Sequence, residues 1–354
     1  MDRIQKLISR LPDNIDMAII TSDVSRRYFT GMKSSAGTLV VFKEKAYLII
    51  DFRYIEKAMK TVVDCDVLLQ EKTYEQINKL MKKHNAKTFS IESEYMSVSH
   101  MNTFKEKICG EIIVDNTLSS IISELRIIKT DDEMEKISTA QKIAEKAFNE
   151  ILSFIAVGKT EREIALALNF EMLKCGAEAL SFETIALSGA NTSLPHGVPT
   201  EKTVNNGDFV LMDFGAVYEG YHSDMTRTVA VGKPSEKMKL VYDIVLNAQM
   251  VALSQAKSGI TGSQLDEYAR DIICKNGFKD NFGHSLGHGV GMEIHELPNA
   301  SPYSETRLEE NMVVTIEPGI YLPNEFGVRI EDFIVIKNDG CKNLTTAPKN
   351  LICI

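Results

Sequence analysis

The sequence predicts an α+β protein of two unequal domains, and three of its features carry that prediction. Two apolar β-hairpins hold carboxylates where strands normally exclude them. A helix–helix–hairpin order occurs twice, about a hundred residues apart. Residues 1–125, by contrast, alternate short strands and helices and gather no reactive cluster. At 354 residues the chain exceeds what one hydrophobic core comfortably fills. A smaller α/β domain over 1–125 and a larger one over 126–354 are therefore expected.

In the first domain, Met17–Thr21 and Thr38–Phe42 are apolar runs of strand length. Lys43-Glu44-Lys45 turns the chain into Ala46–Asp51, which predicts a hairpin. Tyr54–Met59, Tyr74–Lys83 and Ser97–Ile108 are helical, with Phe89–Ile91 a strand between the last two. His84 and His100 lie in polar stretches and read as surface residues. This domain is expected to shape specificity or assembly.

The second domain opens on Thr130-Asp-Asp-Glu133, a capping box, in which the threonine and the glutamate each satisfy a free backbone N–H of the other. Ile137, Ala140, Ala144, Ala147, Phe148 and Ile151 then keep helical spacing. A second box, Thr160–Glu163, starts a helix that stops at Gly176. The pattern returns 101 residues later, where Gly259-Ile-Thr261-Gly-Ser-Gln264-Leu265 runs to a stop at Gly277. Each copy follows one helix and precedes one carboxylate-bearing hairpin, which predicts two similar halves around one site.

The first hairpin spans Phe209–Val231. Folding its arms about their midpoint sets Asp213 opposite Asp224, and like charges facing on a sheet repel. Burying either without a partner costs several kcal/mol. With no lysine in the hairpin, a divalent metal is the expected counter-charge. The second hairpin repeats the oddity: Val313–Glu317 ends in a carboxylate, and the return arm Gly327–Ile336 holds Glu331. Edge-strand acids facing water would account for one or two of the four, not for all.

Between them lies Gly283–His295, with His284, His288 and His295. His284 and His288 are spaced as a helical zinc pair, but the surrounding glycines oppose a helix and no glutamate follows the first histidine. Gly287, Gly289 and Gly291 mimic part of a dinucleotide loop without its strand–loop–helix setting. The glycines are expected to let backbone and imidazole crowd close to a site. His196 sits in a rigid Pro195–Pro199 loop that suits a pocket wall, and His222 reads as a plain sheet residue.

Asp213, Asp224, His288, Glu317 and Glu331, in this order and within MDFG, SDMTRT, GHGVG, TIEPGIY and GVRIED, resemble the ligand set of the pita-bread metallopeptidases. That family includes methionine aminopeptidase, aminopeptidase P and prolidase. The resemblance covers about 125–354, and the preceding domain is similar to that of the proline-specific branch and of creatinase. It implies a pita-bread catalytic domain and two divalent ions, most readily Mn²⁺, with Co²⁺, Zn²⁺ or Fe²⁺ as alternatives. By that resemblance Asp213 holds one ion, His288 and Glu317 the other, and Asp224 and Glu331 bridge. Glu317, His295 and His284 are the implied catalytic residues, with Glu317 moving the proton and His295 steadying the oxyanion. His196, His284 and Arg329 are the implied substrate-site residues, and Arg329 also orients a ligand carboxylate.

The implied activity is cleavage of an N-terminal residue from a following proline in a peptide, aminopeptidase P-like, by a homodimer. The alternative is a prolidase acting on Xaa-Pro dipeptides. A creatinase-like hydrolase works without metal, and a binding protein on this fold would have lost ligands; all five positions are filled here. A methionine aminopeptidase would lack the extra domain. Asn299 stands where prolidase-like sequences carry an arginine for the dipeptide carboxylate, and Arg307 is the nearest cation downstream.

Composition agrees. Hydrophobic residues at 44 % and charged residues at 25 % are those of a globular protein. The net charge of −9, without basic runs, argues against a nucleic-acid partner. No apolar stretch is long enough for a membrane span, and the N-terminal residues lack a signal-peptide core. Six scattered cysteines without a CxxC pair suit a reducing cytoplasm.

Overall fold

The computed structural model describes residues 2–354. The chain forms two compact units that meet in sequence at Arg126 and Ile127.

The first unit is built on a six-stranded sheet in the order Asp66–Leu69, Ala46–Ile50, Thr38–Phe42, Met17–Ile20, Thr88–Ile91, Glu111–Ile113. Thr38–Phe42 runs antiparallel to both its neighbours, and the other pairings are parallel. The three strands MAII, TLVVF and AYLII are buried throughout, as continuous apolar runs in a covered sheet should be. The expected hairpin and helices form. His84 departs from expectation. Its ring stacks on Phe42 at 4.3 Å, its Nε2 lies 2.9 Å from the Tyr47 hydroxyl, and its Nδ1 meets Glu44. It is a packing residue, because a flat aromatic ring with two polar ends fits between Phe42 and the acid.

In the second unit the repeat becomes architecture. Asp131–Ile151 and Glu236–Gln255 are the long helices, and Glu161–Lys174 and Gly262–Lys275 the second helices. Thr160 with Glu163 and Thr261 with Gln264 form full capping boxes. Gly158 and Gly259 precede them at φ 90° and 92°. Thr160 bridges to Thr203, and Thr261 to Arg307, in matching places. Each half closes its own core, one around Phe148, Ile164, Leu168 and Phe214 and the other around Val241, Val245, Leu265 and Ile334.

Both hairpins open where the acids lie. In the first, Phe209–Phe214 pairs with Met225–Ala230, and Ala216–Tyr218 with Tyr221–His222. Glu219 and Gly220 form the turn, with φ 48° and 85°. Positive φ at both central residues is the type I′ geometry that matches strand twist. This turn moves the midpoint along by one residue, so the sequence register is corrected. Asp213 opposes Thr226, not Asp224. Asp224 precedes the strand by one residue, diagonal to Asp213. In the second hairpin, Val313–Ile316 pairs with Asp332–Lys337 and Gly319–Leu322 with Phe326–Arg329. The register is continuous across the gap, which sets Glu317 opposite Glu331. Their backbone N–H groups bond elsewhere, Glu317 to Leu286 O (2.9 Å) and Glu331 to Thr226 O (3.1 Å). The second bond ties one hairpin to the other.

Candidate metal centre

Asp224, His288 and Glu331 each offer a ligand atom within 4.8 Å of the others. Glu317 Oε1 lies 3.4 Å from His288 Nε2, and Asp224 Oδ2 lies 3.6 Å from it. Asp213 joins the same pocket wall. The five residues singled out in the sequence therefore converge. Gly287 lets this happen: a Cβ there would overlap the Thr315 carbonyl, so only glycine brings the His288 backbone so near that strand.

Neighbouring side chains orient the acids. The Thr226 hydroxyl donates to Glu331 Oε2 (2.7 Å) and the Thr315 hydroxyl to Glu317 Oε1 (3.1 Å). Arg329, 2 % exposed, donates from Nη2 to Asp213 Oδ2 (2.6 Å), from Nε to Thr226 Oγ1 (3.0 Å) and from Nη1 to the Tyr321 hydroxyl (2.8 Å). A guanidinium from the second hairpin thus supplies part of the counter-charge to the first. It is buried against Asp213, and its place is behind the acid, orienting it. Sequence reasoning missed Thr226, Thr315 and Tyr321; the motif neighbours of the acids were their only sign.

Two oxygens, Asp213 Oδ1 and Glu331 Oε1, are buried with no hydrogen-bond partner. Burial, and then the charges of its neighbours, raise the Asp224 and Glu331 carboxyls well above the ordinary range. Burial, with Asp213 adding to it, pushes Glu317 up to about 8. His288 is driven down to about 4 by burial and then by His295. Its Nδ1 donates to Gly289 O (3.1 Å), which leaves the Nε2 lone pair facing the acids. Orphaned carboxylate oxygens, mutually repelling acids and one neutral imidazole are the donor set a divalent cation satisfies.

A pH effect follows for the metal-free protein. Glu317 titrates near 4.5 when exposed and near 8 when folded. Between those values the folded state binds more protons, so stability falls as pH rises through this window and is flat above it. Asp224 and Glu331 act in the same direction. His284 and His288, held near 4, oppose the acids below about 6.5, so melting temperatures of metal-stripped protein are expected to be higher at pH 6.5 than at pH 8, and added manganese should restore most of the difference. A metal-free melting temperature that rises over that range would refute the electrostatic account.

The acids floor a cavity of about 510 Å³. Its walls include His196, His284, His288, His295, Asn299 and Arg329. The His295 ring is exposed and stands edge-on to His288, centroids 4.3 Å apart. His196 is exposed on its loop. His284 is held at both ring nitrogens. Its Nδ1 donates to Ser285 O (2.8 Å), and its Nε2, 2.9 Å from the Tyr321 hydroxyl, accepts from it. Burial, ahead of the Arg329 charge, holds it near 4. With both nitrogens engaged it forms part of the pocket wall.

Residues 135–338 match the model of metallopeptidase family M24, and residues 2–128 that of the creatinase/prolidase N-terminal domain. The chain belongs to metallopeptidase family M24. Its fold is the pita-bread catalytic domain preceded by a creatinase-type domain, and it is a metal-dependent hydrolase using divalent metal. The Xaa-Pro dipeptidase of Pyrococcus furiosus is 41 % identical over 356 residues, 99 % of each chain. Among solved structures, the Xaa-Pro dipeptidase from Bacillus anthracis superposes with a TM-score of 0.96 at 42 % identity, covering 99 % of both chains. The X-Pro aminopeptidase from Thermotoga maritima gives 0.92 at 38 % identity over 100 % of both. Among the described residues of this M24 metallopeptidase, no helix is long and apolar enough to cross a membrane.

Proposed function

We propose that this protein is an exopeptidase that hydrolyses the bond between an N-terminal residue and a following proline. The observation that carries the proposal is the convergence of Asp213, Asp224, His288, Glu317 and Glu331 on one pocket, in a chain matched end to end by proteins named for Xaa-Pro bonds. The five residues would hold two divalent ions, manganese being the best fit to four carboxylates and one imidazole. When bound, the ions polarise the scissile carbonyl and lower the pKa of water to near neutrality. The Glu317 carboxylate takes a proton from the water that attacks the scissile carbonyl and returns it to the leaving nitrogen as the C–N bond breaks. His295 donates to the oxygen on which charge develops. Arg329 fixes Asp213, and His196 and His284 shape the pocket around proline. The six free thiols support a cytoplasmic setting, and a homodimer is proposed from the family resemblance.

The pocket favours peptides of three residues or more. Asn299 lines it, on the strand Glu296–Ala300, beside His288. Arg307 is occupied by Gly259 O (2.8 Å), and Arg329, the one Lys or Arg among the described pocket residues, is occupied by Asp213. A free proline carboxylate gains no unoccupied lysine or arginine among the described pocket residues, whereas a longer peptide presents a neutral amide. Dipeptidase activity is the second reading, favoured by the names of two of the relatives. The ratio of kcat/KM for Ala-Pro-Ala to that for Ala-Pro should exceed one, and Asn299→Arg should lower it by about tenfold or more, the worth of a charge-assisted pairing. A wild type that prefers the dipeptide would establish the second reading.

A further inference from the structure

The loop that presents His295 is held from behind by a buried charge pair outside the ligand set. Lys129 Nζ lies 2.6 Å from Glu296 Oε1, the side chains 1 % and 8 % exposed. Lys129 is itself fixed: its N–H donates to Asn311 O (3.0 Å), and Ile128 bridges to Met312. Those two residues open the strand Val313–Ile316 that leads to Glu317. Glu296 directly follows His295 and pairs with Gly289, next to His288. Its Oε2 accepts from the Glu293 N–H (3.4 Å), and its carboxylate fills the space where a Cβ on Gly291 would stand. The segment 291–295 is thus folded over a carboxylate whose place is set by the lysine.

A buried ion pair stabilises little more than apolar side chains of equal volume, and its directional geometry is what apolar packing lacks. Here that geometry registers the His295 segment against the strand leading to Glu317. We infer that Lys129, acting through Glu296, is a positioning residue that sets His295 for the reaction. The inference rests on the role proposed above for His295.

The test is a double-mutant cycle on metal-loaded protein with Ala-Pro-Ala, joined to an NMR measurement. Lys129→Met should lower kcat tenfold to a hundredfold, the range for a group displaced by about an ångström, with KM within about twofold and full metal content. Lys129→Arg should recover most of the loss. In a His295→Ala background, Lys129→Met should add nothing, since its effect passes through the missing ring. Should Lys129→Met fail to fold because the Glu296 charge loses its lysine, Lys129→Met/Glu296→Gln removes that charge and takes its place in the cycle. In the zinc-loaded protein the His295 ring resonance, assigned by its loss in His295→Ala, should shift or broaden in the same variant. Effects that multiply in the cycle, or a His295 resonance unmoved, would overturn the inference. If His295→Ala alone keeps wild-type turnover, the proposed role of His295 fails, and the resonance alone decides whether Lys129 positions the ring.

Discussion

Asp224→Asn is expected to abolish turnover while the protein folds normally. The residue is 4 % exposed and lies between His288 and the acids of both hairpins. Asparagine keeps its size but removes the charge that a shared cation requires. Metal-ion catalysis supplies several kcal/mol, so losing it lowers kcat by about three orders of magnitude or more. Folding survives because the buried Asp224 carboxyl is already driven toward its neutral form in the metal-free protein. A neutral amide of the same shape should leave the metal-free melting temperature unchanged or raise it. Metal content by elemental analysis should fall in parallel with activity. A purified variant with wild-type activity in supplied manganese or cobalt would end the di-metal reading.

The second large effect belongs to His295. His295→Ala is expected to lower kcat by roughly 10²–10³, the cost of removing one oxyanion donor, with metal content near wild type. The two adjacent rings divide the work by environment. His288 has its Nδ1 bound to a backbone carbonyl and its Nε2 aimed at Asp224 and Glu317. His295 stands on the open side of that ring, exposed to the cavity. His288→Ala should therefore lose metal. Metal lost from His295→Ala and kept in His288→Ala would reverse the assignments.

What was legible in the sequence rests on local chemistry. The capping boxes at Thr130, Thr160 and Thr261 form because side chain and backbone three residues apart complete each other. The four acids betray the site because apolar strands hold carboxylates only with a partner. Less legible is anything set by a turn or by distance along the chain. The register of the first hairpin depends on Glu219 adopting φ 48°, which a glutamate does not announce. The Arg329–Asp213 contact joins residues 116 apart, and Lys129–Glu296 joins residues 167 apart. The helix Arg3–Arg10 was legible, since Ile4, Leu7 and Ile8 keep helical spacing, whereas Asp23–Thr30 is barely two turns of mixed residues.

The twin halves also bear on how a substrate is held. Each contributes one helix pair and one hairpin with two acids, and neither alone closes a set of ligands around a cation. A gene encoding one such half would have needed a second copy of its product, with the metal on the twofold axis where identical surfaces meet. Within one chain neither half has to mirror the other. The imidazole of His288 and the guanidinium of Arg329 both come from the later half, while the earlier half supplies the His196 loop. A symmetric dimer has to present every group twice. In the single chain a cavity can have two different sides, and a peptide, which has a direction, can be held only one way round.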